Sequence, residues 1–238
     1  MSIKTYVWIE DRKGKASYIF WKTLMQQLYP DVIVESKMNN SKLVKAVKAL
    51  QDQENCYIIV FDNSFDNLQI YQEQKMLKKY ADMKSNVLLM DIICFEYILL
   101  EFDKLVDWIY ARDDELLIKR VDAIRARELL VRTIQSGEWD YKIIQEIKAY
   151  DTHLNNHNIE QLSAKLLFDL TRNTGFEVSK GTIGDCWTKS CCDWRGRQED
   201  DICGLDDGRL SIADKMKSIY NGTCLVKEFS KVGLEIGL

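Results

Sequence analysis

Along the first hundred residues, short apolar runs are separated by longer stretches in which apolar positions recur every three or four residues. TYVWI (5–9), VIVE (32–35), YIIVF (57–61) and NVLLM (86–90) are brief and rich in β-branched residues, the composition of strands covered on both faces. Between them, residues 14–29 place Ile19, Phe20, Leu24 and Leu28 near one helical face, and Pro30 closes that helix. NNSKLVKAVKAL sets polar capping residues before Leu43, Val47 and Leu50, and a further helix is predicted over about 69–80. FEYILLEFDKLVDWIY then carries Ile98, Leu99, Phe102, Leu105, Val106 and Ile109 at helical spacing. Such alternation is the pattern of βαβ units. The expected fold class is therefore α/β, a mostly parallel four-stranded sheet flanked by helices.

After residue 112 the strand pattern stops. Residues 113–135, 138–150 and 158–172 are predicted helices, with Leu117, Val121, Ile124, Val131 and Ile134 marking the first. Composition shifts again toward the end: of eleven glycines only Gly14 precedes residue 136, and five of seven cysteines lie between Cys186 and Cys224. Three regions are expected: an α/β domain over 1–112, a helical region over 113–175, and a Cys- and Gly-rich C-terminal appendage over 176–238.

Charge narrows the partners little. A net charge of −4 excludes binding nucleic acid through overall positive charge, while 33 Lys and Arg leave room for a local basic groove. No apolar run approaches the roughly 18 residues a spanning helix needs, and the first fifteen residues lack the apolar core of a signal peptide. The chain is expected to be soluble and cytoplasmic, with no membrane partner; a homo-oligomer stays open. An odd number of cysteines in such a chain points to thiols or a metal site rather than a disulfide framework.

The candidate chemistry sits where strands end. YIIVFDNSFDN turns abruptly from apolar to polar, and the carboxyl edge of an open α/β sheet is where ligands bind. Glu10 follows the first strand, Asp62 and Asp66 the third, and Asp91 and Glu96 the fourth. Carboxylates from neighbouring loops can share Mg²⁺ or Mn²⁺, hard ions that prefer oxygen ligands, organise a water for attack on phosphorus and neutralise the leaving oxygen. Each acid taken alone also fits a helix cap. Lys13 and Lys15 flank Gly14 near the start of the first helix and are candidate phosphate ligands, and KMLKKY adds Lys75, Lys78 and Lys79; a solvated helical face accounts for these lysines equally.

VWIEDRKGK, FDNSFDN and ICFEYILLEF together resemble the Toprim fold of small bacterial nucleases of the RloB and OLD type, over roughly residues 5–105. In that family a Glu follows the first strand, a nearby Gly turns the chain into the first helix, and an Asp-x-Asp pair follows a later strand. Glu10 and Asp62 match; the Glu-Gly adjacency is stretched to Glu10 and Gly14, and Ser64 stands where the second aspartate belongs, with Asp66 the candidate replacement. Glu96 would be a further acidic contributor. The resemblance implies a Mg²⁺- or Mn²⁺-dependent nuclease acting on DNA or RNA, an antiviral effector of abortive infection held silent by a partner ATPase.

DCWTKSCCDWRGRQEDDIC groups Cys186, Cys191, Cys192 and Cys203 with the spacing C-x₄-C-C-x₁₀-C. Four thiolates suit structural zinc. Buried thiols beside Trp187 and Trp194 are the alternative, and Cys224 or a histidine is a substitute for one of the adjacent pair. His153 and His157 stand four apart, yet Asn155 and Asn156 between them favour a polar loop over a metal-binding helix. With two histidines a catalytic triad is not indicated, and the chain has neither GxGxxG nor a Walker loop. Three functional classes follow: a metal-dependent nuclease, a catalytically inactive Toprim-like module that binds a protein, which Ser64 favours, and a receiver-like or other flavodoxin-like domain, since strands ending in aspartates occur there too.

Overall fold

Side chains of a strand alternate between the two faces of a sheet, and here each set meets its own layer of helices. The computed structural model describes residues 3–63, 66–112, 114–137, 141–179, 181–192, 203–205 and 208–234. Strands β1 (Thr5–Ile9), β2 (Ile33–Ser36), β3 (Cys56–Asp62) and β4 (Val87–Ile92) form one wholly parallel sheet in the order β2-β1-β3-β4. Trp8, Tyr57, Ile59, Phe61 and Val87 face helices α2 (Asn40–Ala49) and α3 (Leu68–Ala81), where Leu43, Val44, Val47 and Leu77 complete a small core. Val7, Ile9, Ile58, Val60, Met90 and Ile92 face the larger core on the other side, led by Phe20, Trp21 and Leu24 of α1 (Ala16–Leu28).

That larger core also absorbs most of the remaining chain. Helix α4 (Phe95–Glu101) packs on α9 (Ile159–Thr171), which in turn contacts α7 (Val121–Ser136). The helical region thus packs on α4 and shares the larger core. The single long helix expected from FEYILLEFDKLVDWIY is instead two short ones, α4 and α5 (Leu105–Ile109). The cause lies 25 residues downstream. The buried Arg127 guanidinium donates to the carbonyls of Leu100 (2.6 Å) and Phe102 (2.7 Å), satisfying the acceptors at the end of α4 without further helix. A similar break precedes α7: Arg120 leaves helical geometry after α6 (Glu115–Lys119) and bonds the carbonyls of Leu170 and Arg172. Helix α8 (Tyr141–Ala149) follows α7, and His153 lies in a 3-10 turn, Thr152–Asn156, rather than on an α-helix.

The C-terminal region is not an appendage. After the hairpin of β5 (Val178–Ser179) and β6 (Thr182–Ile183), helix α10 (Asp185–Thr188) buries Trp187 against Phe176 and Trp108. Helix α11 (Ile212–Asn221) packs on α1, and α12 (Leu225–Lys231) packs on β4. Trp187, Met216, Ile219, Leu225 and Phe229 belong to the same continuous core as Val7 and Ile58. Among the described residues no helix is long and apolar enough to cross a membrane.

Candidate functional site

In the strand order β2-β1-β3-β4, the chain leaves β1 toward β2 on one side and later returns to β3 on the other. The reversal falls between β1 and β3, and the carboxyl ends of the strands at such a switch point are where α/β sheets bind ligands. Glu10 directly follows β1, and Asp62 is the last residue of β3. The two meet: Glu10 Oε2 accepts a long 3.5 Å hydrogen bond from the Asp62 backbone N–H, and the carboxyl groups are hydrogen-bonded to each other.

Glu96 reaches the same place from α4. Cys94 caps that helix, its Sγ accepting from the Tyr97 N–H at 3.4 Å, which sets Glu96 in the first turn. A fourth acid comes from far along the chain. Asn158 and Gln161 form a reciprocal cap that starts α9, and Glu160 lies in its first turn. Asp66 fixes this helix end to the β3–α3 loop, its Oδ2 accepting from the Ile159 N–H at 2.9 Å.

These carboxyls titrate far from their ordinary range. Burial raises Glu10 from 4.5 to about 8, reinforced by Asp11 and Glu160 and only partly offset by its bonds to Asp62. Burial, then Glu10, Glu96, Glu160 and Asp11, holds Asp62 well above its usual value. Burial raises Glu96 to about 7, with Glu160 and Asp11 adding to it. The positive end of α9 favours anions by only about 0.3–1 kcal/mol, against about 1.4 kcal/mol for each pH unit by which a carboxyl is raised. Crowding and burial win. Among the described residues, the principal charges acting on Glu10, Asp62 and Glu96 are other acids, Asp11 and Glu160 among them. Cys94, fully buried beside them, is likewise kept a neutral thiol, by burial first and then by Glu96 and Asp62.

Such a set can do one of two things at neutral pH. It can hold protons, which the raised values favour, or exchange them for a hard cation, since carboxylate oxygens are the ligands Mg²⁺ takes. Among the described residues no three His, Cys, Asp or Glu side chains already stand in a closed ligand arrangement. An ion would have to draw Glu10, Asp62 and Glu96 together as it displaces their protons.

The other sequence candidates lie in several places. Lys13 and Lys15 belong to the turn between Glu10 and α1, which closes through Lys15 N–H to Arg12 O at 3.1 Å and needs Gly14 at φ +91°. Lys13 is exposed and Lys15 partly so. Asp91 lies within β4 and takes Asn63 Nδ2 at 2.8 Å. Lys75 and Lys78 line a different groove, of about 650 Å³, between α3 and β4. Ser64 and Trp194 lie outside the described residues. Glu160 was not anticipated: its first-turn position is legible in NIEQ, but nothing local says that this helix ends at the sheet edge. Compared with known protein families, curated proteins and solved structures, the chain matches none.

Proposed function

We propose that the chain is a divalent-metal-dependent nuclease of Toprim-like character, cleaving phosphodiester bonds in DNA or RNA. The observation that supports it is the Glu10–Asp62 carboxyl pair, joined by Glu96 and Glu160 at the switch point of the sheet, where among the described residues the principal charges are other acids. Mg²⁺ or Mn²⁺ bound there would supply an activated water and charge neutralisation on the leaving oxygen. Glu10, Asp62 and Glu96 would hold the ion, and Glu160 would reach it directly or through a water. Lys13 and Lys15, at the start of α1, are placed to meet substrate phosphates entering over the Gly14 turn. Asp66 acts here by holding the α9 end that carries Glu160. Action as an antiviral effector under a partner ATPase is the context this chemistry would serve.

The test is cleavage of single- and double-stranded DNA and of RNA by the purified chain, with Mg²⁺ or Mn²⁺ and with a candidate ATPase partner. Glu10→Gln and Asp62→Asn should each abolish it. Cleavage that survives both substitutions would remove the assignment.

A second reading, a catalytically inactive module that binds a protein through this edge, is favoured by the lack of a closed ligand set among the described residues. It requires that calorimetry detect no Mg²⁺ or Mn²⁺ uptake that depends on Glu10 and Asp62.

A further inference from the structure

Helices α2 and α3, on one side of the sheet, carry a charge opposite in sign to that of the chain. We propose that their outer face is where a double-stranded nucleic acid lies, its phosphates met by Lys42, Lys45, Lys48, Lys75, Lys78 and Lys79. What happens to that duplex rests on the nuclease reading; the binding itself does not.

The amphipathic pattern puts the lysines there. Leu43, Val44, Val47 and Leu77 turn into the small core, and the six lysines are left exposed to solvent. The two helices pack side by side, and contacts at both ends fix how. Ser41 Oγ donates to Glu73 Oε1 at 2.6 Å near the start of α2, and Lys48 Nζ stands 5.5 Å from the centre of the Tyr80 ring near its end. Lysines from both helices therefore share one surface. Lys42 to Lys48 spans about 9 Å of helix axis at about 1.5 Å per residue, and packed helices lie about 8–10 Å apart.

A face that only solvates a helix mixes signs, with acids and lysines at i, i+4. Here that mixing is missing. Glu73 is the one acid within either helix, it is bonded to Ser41, and it lies neither three nor four residues from a lysine. Asp82 comes only at the cap beyond α3. Among the described residues none of the six lysines pairs with a carboxylate. In a chain of net charge −4 this is a local excess of positive charge, the footprint that a polyanion fits.

Position ties the surface to the acidic edge. Helix α2 follows β2 and α3 follows β3, so both start at the carboxyl end of the parallel sheet, where Glu10 and Asp62 meet, and run back from it. Lys75 and Lys78 also line the groove between α3 and β4. Strandedness follows from the side chains present. Single strands are held largely by bases stacked on aromatic rings, and among the described residues Tyr71 is the one exposed aromatic side chain. Lysines on flexible stems contact the backbone and leave the bases unread. DNA and RNA duplexes both offer that chemistry.

The test is fluorescence anisotropy of short labelled DNA and RNA duplexes with the full chain in EDTA, where no metal-dependent cleavage can occur. The logarithm of the affinity should fall with that of the salt concentration with a slope of about −5, since each phosphate contact on B-DNA contributes about −0.9. The triple variants Lys42→Gln, Lys45→Gln, Lys48→Gln and Lys75→Gln, Lys78→Gln, Lys79→Gln should each weaken binding at least tenfold and flatten the slope by about 2–3. Lys217→Gln with Lys227→Gln, on α11 and α12, should change neither. All these lysines are exposed, so urea midpoints should stay those of the wild type. No duplex binding at low salt, binding that both triple variants keep, or a preference for single strands would overturn the proposal. So would binding of an acidic peptide or of anionic vesicles in place of the duplex. The nuclease reading fails separately: a chain that binds duplexes through these lysines yet cleaves none with Mg²⁺ or Mn²⁺ keeps the surface and loses the activity. Cleavage that both triple variants retain in full does the reverse.

Discussion

Replacing Glu10 by Gln should stabilise the protein, and by more as the pH rises. In the folded state burial and its acidic neighbours raise the Glu10 carboxyl from 4.5 to about 8. The folded protein therefore binds a proton that the unfolded chain gives up over this interval. Stability falls with pH wherever the folded state binds more protons. The Glu10 contribution is thus fully present below pH 4.5 and lost as the pH climbs through 8. At about 1.4 kcal/mol per pH unit the loss is at most about 5 kcal/mol, and Glu96, raised to about 7, acts in the same direction. Glutamine keeps the shape and hydrogen-bonding capacity of the protonated acid but has no proton to lose.

Urea denaturation at intervals from pH 5 to pH 8.5, without divalent ions, is the assay. The wild type should weaken steeply toward alkaline pH, and Glu10→Gln should follow a visibly flatter curve, crossing above the wild type. Parallel curves would refute the claim that the Glu10 carboxyl is raised in the folded state. Repeating the series with Mg²⁺ separates geometry from function: an ion that takes the place of protons should restore wild-type stability at pH 8 but not at pH 5, and should do nothing for the variant.

Substitutions at three further positions probe contacts that hold the fold together. Arg127→Met should cost about 2–4 kcal/mol in urea melts, because it leaves the Leu100 and Phe102 carbonyls buried without a donor; a loss below about 0.5 kcal/mol would mean that α4 ends for another reason. Gly204→Ala should cost about 1–3 kcal/mol through collision with the backbone of α5, and a neutral result in the same melts would unseat that loop from α5. Asp66→Asn keeps an acceptor for the Ile159 N–H and should retain most nuclease activity, whereas Asp66→Ala should lose about 1 kcal/mol of stability with partial loss of activity; complete inactivity of Asp66→Asn would restore Asp66 to the metal ligands.

The strands were legible because each is a short β-branched run with polar residues at its carboxyl end, and alternation within it encodes both faces: Val7 and Ile9 face one core, Trp8 the other. For the same reason the acids at and after strand ends, Glu10, Asp62, Asp66, Asp91 and Glu96, stand out by position alone. What could not be found depends on partners distant in sequence. The break after α4 is enforced by Arg127, the role of Asp66 by the arrival of Ile159, and the fourth carboxyl by the same helix. The C-terminal region was misjudged for a related reason. Its core residues, Met216, Ile219, Leu225 and Phe229, lie on two short helices divided at Gly222, too brief for periodicity to announce that they pack on α1 and β4.

The convergence of acids at the sheet edge runs against the logic that shapes the rest of the protein. Elsewhere a buried charge is given partners: Arg120 and Arg127 reach carbonyls, and the buried Glu228 bonds the Asp91 N–H at 2.9 Å while Lys231 pairs with it. At the edge, three independent elements, β1, β3 and α4, each deliver a carboxyl, and a fourth element delivers Glu160. Random placement of acids at a helix start would leave them facing water, where crowding costs little. Here they face each other and are raised together, so each proton lost makes the next harder to remove. A protein that only docked a partner at this edge could replace Glu10 or Asp62 by an amide, keep the hydrogen bonds and shed the penalty. A chain that must hold a divalent cation cannot, because the cation needs the same charges that destabilise the metal-free state. On the nuclease proposal, the stability expected to be gained by Glu10→Gln and the activity expected to be lost are therefore two readings of a single electrostatic arrangement.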